Sequence, residues 1–259
     1  MFDQTTGVTP LPRYLRTDLH VHSTHSDGRA TVEQLVDRAR SLGFTLAITD
    51  HYSVDQKMNT PDKLASYLDA LDAQPVYRGI EMDIGEELPL PPELHARLDL
   101  VIGSMHHAVD PAGQRVRPAP GATAAQLDDY MECYVATLTR GLRDGAYTFI
   151  GHPTHLPDLP HGVQQEPLWT PGRRWAVIEA AVASGVAFEI STRYSVPSPT
   201  FMREAVDAGM TFATGSDSHW LERISEIGLP RRYTQEYGLT PERFVLPTRV
   251  IEGNDVVVV

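Results

Sequence analysis

The sequence predicts an α/β protein built on a parallel sheet, open or closed into a barrel. Three observations carry this expectation. Seven short runs rich in Val, Ile, Leu and Thr have the length of strands covered on both faces. Amphipathic helical patterns lie between many of them, and the alternation recurs every few tens of residues, as βαβ units require.

In chain order, the first strand is expected over residues 16–22. A helix follows: Thr31 and Gln34 form a capping box, Val32, Leu35, Val36, Ala39 and Leu42 make one apolar stripe, and Gly43 supplies the stop. Strands over 46–51 and 76–82 flank a helix over 62–73. The fourth strand is 99–105. The helix over 124–142 has Leu127, Met131, Tyr134, Val135, Leu138 and Leu142 on one face. Strands over 147–152 and 186–192 flank a helix over 171–184. A helix with Ser198 as N-cap, Pro199 at its first position and Gly209 past its end precedes the seventh strand, 211–217. The Pro- and Gly-rich stretches 89–92, 111–121 and 153–172 are loops and not linkers, because strands continue on either side, so one domain is expected over 1–259. Residues 249–259 suggest a small terminal hairpin.

The 259 residues include 22 Lys+Arg against 34 Asp+Glu, a formal charge of -12, which argues against the basic face that binds a long phosphate backbone. No stretch approaches the ~20 consecutive apolar residues of a membrane span. Residues 1–16 lack the apolar segment of a secretory signal, and the lone Cys133 cannot form an internal disulfide, so a cytoplasmic setting is expected. Cys133 sits inside a helical pattern and is expected to pack rather than react. There is no Gly-rich phosphate loop and no Gly-x-Ser-x-Gly elbow.

The 11 histidines stand out because imidazoles and carboxylates together are common metal ligands. Each predicted strand ends in such a group. They are Asp18, His20 and His22; Asp50 and His51; Glu81 and Asp83; His106 and His107; His152; Glu189; and Asp217 with His219. A single strand-end His is more often a hydrogen-bonded structural residue, so the weight rests on seven coincident placements. In an α/β barrel these ends share one face, where active sites are built. His20 and His22, two apart on a strand, point the same way and can chelate one ion; the same holds for Asp217 and His219 if the chain stays extended.

The segment Asp18-Leu19-His20-Val21-His22-Ser23, then Ser26-Asp27-Gly28 and Ala47-Ile48-Thr49-Asp50-His51, resembles the opening of the PHP (polymerase and histidinol phosphatase) superfamily. Gly79-Ile80-Glu81, Ile102-Gly103-Ser104-Met105-His106, Gly151-His152-Pro153 and Gly215-Ser216-Asp217-Ser218-His219 follow in the family's order, so the likeness spans residues 16–220, with 221–259 a C-terminal extension. The resemblance implies a distorted (β/α)7 TIM-like barrel with up to three divalent ions at its C-terminal face. It implies that His20, His22, Glu81 and Asp217 hold one ion, Glu81, His106 and His152 a second, and Asp27, His51 and His219 a third, with His25 a competitor for the place of Asp27. Mixed imidazole and carboxylate donors suit zinc, manganese or iron.

Three such ions bring about +6 against about -3 from Asp27, Glu81 and Asp217, a locally cationic pocket fit for a small phosphate. They would polarise phosphoryl oxygens and bring a bound water's pKa towards ~7, supplying hydroxide for in-line attack. The run Glu189-Ile190-Ser191-Thr192-Arg193-Tyr194 resembles the histidinol-phosphatase branch, where an Arg faces the phosphate. Arg193 has the planar fork for that role, a surface pairing with an acid being the alternative. Asp217, His219 and Arg193 are the expected catalytic residues, with Arg193 and His107 at the substrate. His155 and His161 are further candidates for protonating the leaving group or for surface positions, and His95 is expected to be solvated. The chain departs from the branch at Ser191, where Asn is usual, and at Thr154-His155, where an Asp is common.

The expected activity is hydrolysis of a small phosphomonoester, with histidinol phosphate the best single candidate, and no extended nucleic acid or membrane as partner. The alternatives are a nuclease or phosphodiesterase acting on nucleotides or short oligonucleotides, and a non-catalytic metal-binding barrel. All nine expected ligand positions are filled, which argues against the last.

Overall fold

In the computed structural model, which describes residues 11–249 and 251, seven parallel strands form a nearly closed barrel wrapped by helices. The elements are β1 (Thr17–Asp18), α1 (Val32–Leu42), β2 (Thr45–Ile48), α2 (Pro61–Asp72), β3 (Tyr77–Asp83), α3 (Pro92–His95), β4 (Leu100–Ser104), a hairpin of β5 (Ala108–Val109) and β6 (Arg115–Val116), and α4 (Ala124–Asp144). They continue with β7 (Phe149–Gly151), α5 (Pro171–Ser184), β8 (Ala187–Ser191), α6 (Pro199–Asp207), β9 (Phe212–Gly215) and α7 (Gly228–Glu236). The barrel order is β1-β2-β3-β4-β7-β8-β9. Closure runs through single bonds from beside β1 to β9 and the residues after it, Leu19 N–H to Thr214 O and His22 N–H to Ser218 O, both 2.9 Å.

The helices obey their local signals. Thr31 caps α1 with the expected box, Thr123 and Gln126 do the same for α4, and Ser198 caps α6. On α4, Met131, Tyr134, Leu138 and Leu142 are core as expected, while Leu127 and Val135 are only half-buried and Cys133 packs against the core edge. Leu42 departs from its expected place in the stripe: it is 39% exposed, because the turn at Gly43 (φ 72°) begins there.

The first strand is shorter than the expected 16–22. Side chains replace backbone acceptors after Asp18: Val21 N–H donates to Thr49 Oγ1 and His20 N–H to Asp18 Oδ1. Short elements also occupy the predicted loops, among them β6, and α3 and α7 lack a clear periodic signal. The suggested terminal hairpin lies almost wholly outside the described residues. Among the described residues no helix is long and apolar enough to cross a membrane.

The core has two parts. The larger lies between helices and barrel wall; the smaller takes Leu19, Ala47, Tyr77, Leu100, Ile102, Phe149, Ala187 and Ala213, at least one residue from or beside each barrel strand. These fill the barrel interior, so alternation makes the next inward positions Gly79 and Glu81 on β3, Ser104 on β4, Gly151 on β7, Glu189 on β8 and Gly215 on β9. The interior therefore changes from apolar to polar towards the C-terminal ends of β3, β4 and β8, and Gly151 and Gly215 leave room beside those polar groups. The polar end is the site.

Candidate metal centre

Glu81 is its hub. The side chain is 1% exposed, and five imidazoles surround its carboxylate. His20 and His22 present Nε2 at 3.3 Å to Oε2, and His51 presents Nδ1 to the same oxygen at 3.0 Å. His152 and His106 present Nε2 to Oε1 at 3.4 and 3.5 Å. Asp217 Oδ1 lies 3.3 Å from His22 Nε2 and 3.8 Å from His20 Nε2. At the outer side Asp27 faces His219 at 3.2 Å and His51 at 3.7 Å.

Three sets of donor atoms stand close enough to share an ion: His20, His22 and Asp217; His51, Glu81 and His106; and His22, Asp27, His51 and His219. These sets hold eight of the nine expected residues, and His152 joins them through Glu81 Oε1, so the partition differs from the expected one. His51 stands between Glu81 and Asp27, and His22 stands between Asp217 and the outer set. His25 is turned away from this centre, with its ring against the edge of Tyr67 at 5.3 Å.

The donor set fits a cation on an observation of this structure. His20 Nε2, both ring nitrogens of His22, both oxygens of Glu81 and His152 Nδ1 are buried with no hydrogen-bond partner. An unsatisfied buried polar atom costs ~1–3 kcal/mol, and here six of them lie on four neighbouring side chains. Cations taken by Glu81 and by one lone pair of each imidazole would remove part of that cost.

Other carboxylates hold the ligands in place. Glu189, fully buried, accepts from His20 Nδ1 at 2.9 Å and from the His152 backbone N–H at 2.6 Å. A proton on His20 Nδ1 leaves Nε2 with its lone pair towards Glu81 and Asp217. Asp83 takes the same part for His106, at 2.6 Å from Nδ1. Asp50 accepts from the backbone N–H and hydroxyl of both Ser23 and Ser26, closing the loop that carries Asp27. Asp18 accepts from the Ser216 and Ser225 N–H groups and anchors the strand end before Asp217. These four strand-end acids stood outside the expected ligand set, and their work is orientation.

Two details of backbone aim the site. His152 and Asp217 have positive φ, 30° and 50°, so the chain does not stay extended through Asp217 to His219 as the shared-face argument assumed. Such residues cost of order 1–3 kcal/mol and persist where the surroundings over-determine them. At Gly215, a Cβ would lie 2.0 Å from Glu189 Oε1 and 2.6 Å from the His20 Cβ, so only glycine leaves room for that pair.

The electrostatics follow from crowding. Burial alone would raise the Glu81 carboxyl, but His51, His20 and His106 outweigh it and hold Glu81 well below the usual range. Burial, with His51 beside it, pulls His22 down to about 4. Burial also disfavours the His51 cation, yet the Glu81 carboxylate prevails and lifts it to about 9. Burial would raise both Asp217 and Asp27, but His20 and His22 hold the first below the usual carboxylate range, and His219, His51 and His22 the second.

A cavity of about 270 Å³ opens over this centre. Arg193, Tyr194, His107, Ser53, Asp55 and Gln56 line it together with most of the ligand residues. Arg193 is paired with an acid, Asp217 in place of Glu189, and at the cavity instead of the open surface: Nη1 donates to Asp217 O at 2.8 Å and Oδ1 at 3.0 Å. His107 Nδ1 lies 3.3 Å from Asp158. His155 stacks on Tyr194 with centroids 4.0 Å apart, while His161 and His95 are exposed on the surface. Burial and His152 draw His155 down to about 4. Ser53, Asp55, Gln56 and Tyr194 were missed as site residues; only Tyr194, next to Arg193, carried a local signal.

Residues 18–193 match the family model of the PHP domain. A protein of Enterobacter sp. (strain 638) named probable phosphatase is 27% identical over 257 residues, covering 91% of this chain and 92% of its own. The DNA polymerase/3'-5' exonuclease PolX of Bacillus subtilis (strain 168) is 34% identical over 104 residues, 36% of this chain but only 18% of that one. In three dimensions the chain resembles a Listeria monocytogenes protein described as a candidate histidinol phosphatase, HisK, with a TM-score of 0.61. That likeness, at 15% identity over 81% of this chain and 97% of the other, concerns the fold.

Proposed function

The chain belongs to the PHP domain family, and from that premise we propose that it is a metal-dependent phosphoesterase acting on a small phosphomonoester. The observation that carries this reading is the cluster of orphaned donors around Glu81, which calls for cations in a buried pocket. His20, His22, Glu81 and Asp217 would hold one ion, Glu81, His106 and His152 a second, and Asp27, His51 and His219 a third, with His22 and His51 close enough to serve two. Bound divalent ions polarise phosphoryl oxygens and acidify coordinated water.

The chain's own residues do the rest. Glu189 and Asp83 fix the tautomers of His20 and His106, so both keep Nε2 lone pairs inward. Arg193 offers a cation at the cavity wall for the nonbridging oxygens of the phosphoryl group, and His107 lines the same cavity. The cavity's size, about 270 Å³, favours a small ester over a long polyanion. The name of the Enterobacter relative, matched along nearly its whole length, supports a phosphatase. Within that class, histidinol phosphate is the proposed first substrate, on the Arg193 run.

Release of inorganic phosphate from p-nitrophenyl phosphate and from histidinol phosphate, with manganese or zinc added, tests the reading. Turnover that disappears in Asp217→Asn is expected. No turnover of any phosphomonoester refutes it, and cleavage of a labelled oligonucleotide in its place would support the nuclease alternative.

A further inference from the structure

Among the described residues, Arg193 makes its hydrogen bonds through one nitrogen. Nη1 reaches Asp217 O, Asp217 Oδ1 and, at 2.7 Å, His219 Nδ1. Nε and Nη2 have no partner among the described residues, although the side chain is only 26% exposed and lines the cavity. One edge of the guanidinium is therefore anchored and the opposite edge, with its two outward N–H directions, is left over.

Hydrogen bonds at a single nitrogen leave the far edge of the fork without support of its own. Two aromatic rings stand where they can supply it. The Arg193 Cζ lies 5.1 Å from the centroid of Tyr194 and 5.8 Å from that of Trp220, both within cation–π range. Both rings are themselves held. Tyr194 stacks on His155, whose carbonyl accepts from the Tyr134 hydroxyl on α4 at 2.7 Å. Trp220 is fixed at its backbone by Ser218 Oγ, which accepts from its N–H at 3.2 Å and donates to its carbonyl at 2.7 Å. A second guanidinium, Arg29, lies 5.5 Å from the same Trp220 ring.

We propose that Trp220 and Tyr194 are positioning residues that clamp the plane of Arg193, so that its Nε/Nη2 edge meets two phosphate oxygens together. The inference rests on the phosphoesterase reading for the ligand and adds which edge binds it and what holds that edge. Trp220 lies beyond the residues matched to the family model, as do Asp217 and His219.

The test uses inorganic phosphate as probe, titrated calorimetrically into metal-loaded protein, with metal content measured in parallel and KM and kcat for p-nitrophenyl phosphate. Trp220→Ala is expected to weaken phosphate binding and raise KM about 3- to 10-fold, the range of a partly desolvated cation–π contact. Trp220→Phe, which keeps a ring, is expected to recover most of this. Arg193→Lys, which keeps the charge but loses the fork, is expected to lose at least as much. Metal content is expected to stay at the wild-type level in all three. Trp220→Ala with unchanged phosphate affinity overturns the clamp, as does a loss of metal in that variant, which would make Trp220 a prop for Asp217 and His219. If the wild type turns over no phosphomonoester yet binds phosphate in a Trp220-dependent way, the functional reading falls and the clamp stands. No phosphate binding by any form overturns both.

Discussion

Replacing Glu189 with Gln probes the centre without altering its shape. The carboxylate has two acceptor oxygens facing two donors, His20 Nδ1–H and the His152 N–H. A Gln amide brings one acceptor and one donor group to the same two places. If its oxygen stays with His20, the His152 N–H is left buried against another donor. If it stays with His152, His20 must turn a lone pair towards the amide and move its proton to Nε2, the atom that faces Glu81 and Asp217. The first outcome loses a hydrogen bond to a charged group, about 1.5–3 kcal/mol. For a chain of this size about 2 kcal/mol lowers Tm by roughly 4–8 °C. The second outcome removes a metal donor. Partners of this kind typically matter 10–100-fold in metal affinity. Chelator competition for bound manganese or zinc, together with melting curves in excess chelator, separates the two costs. Glu189→Gln protein that binds metal as tightly as the wild type and melts with it would refute the argument that Glu189 orients His20.

Two further outcomes are expected. Asp27→Ala should lower the metal content measured by elemental analysis, whereas His25→Ala, remote from the centre, should leave it intact; the reverse result would exchange their roles. Stability should also carry an acid limb from Asp99, outside the site. Burial would raise its carboxyl, but Arg249 and Arg78 outweigh this and hold it below the usual carboxylate range. The unfolded value is about 3.9, so the stabilisation is complete above that pH and is lost as pH falls through the lower folded value. Asp99→Asn should therefore melt below the wild type at neutral pH, and the gap should close under acid below about pH 4. A gap that stays constant with pH would show that the Asp99 charge is not the source.

Much of the fold is legible in short stretches of sequence. The box at Thr31 and Gln34, the cap at Ser198 with Pro199, and the apolar runs of the strands act over distances of a few residues, and the structure has each of them. Element ends were less legible where a side chain took over a backbone bond, as Thr49 does for Val21. The hairpin of β5 and β6 and helix α7 are too short or too polar to stand out by period.

At the site, sequence alone determined the inventory: imidazoles and carboxylates at the ends of seven strands, in an order that matches a family. What each residue does was decided by the tertiary structure. Glu189 looks like any other strand-end acid until the barrel places it against His20, 169 positions earlier in the chain. Arg193 reads in the sequence as a phosphate ligand or a surface partner of an acid, and only the fold shows that Asp217 and two rings take hold of it. The reason is physical. Donor type and strand parity are local properties, whereas tautomer, charge state and aim depend on which groups closure of the barrel brings within 3 to 4 Å, and those come from the whole length of the chain.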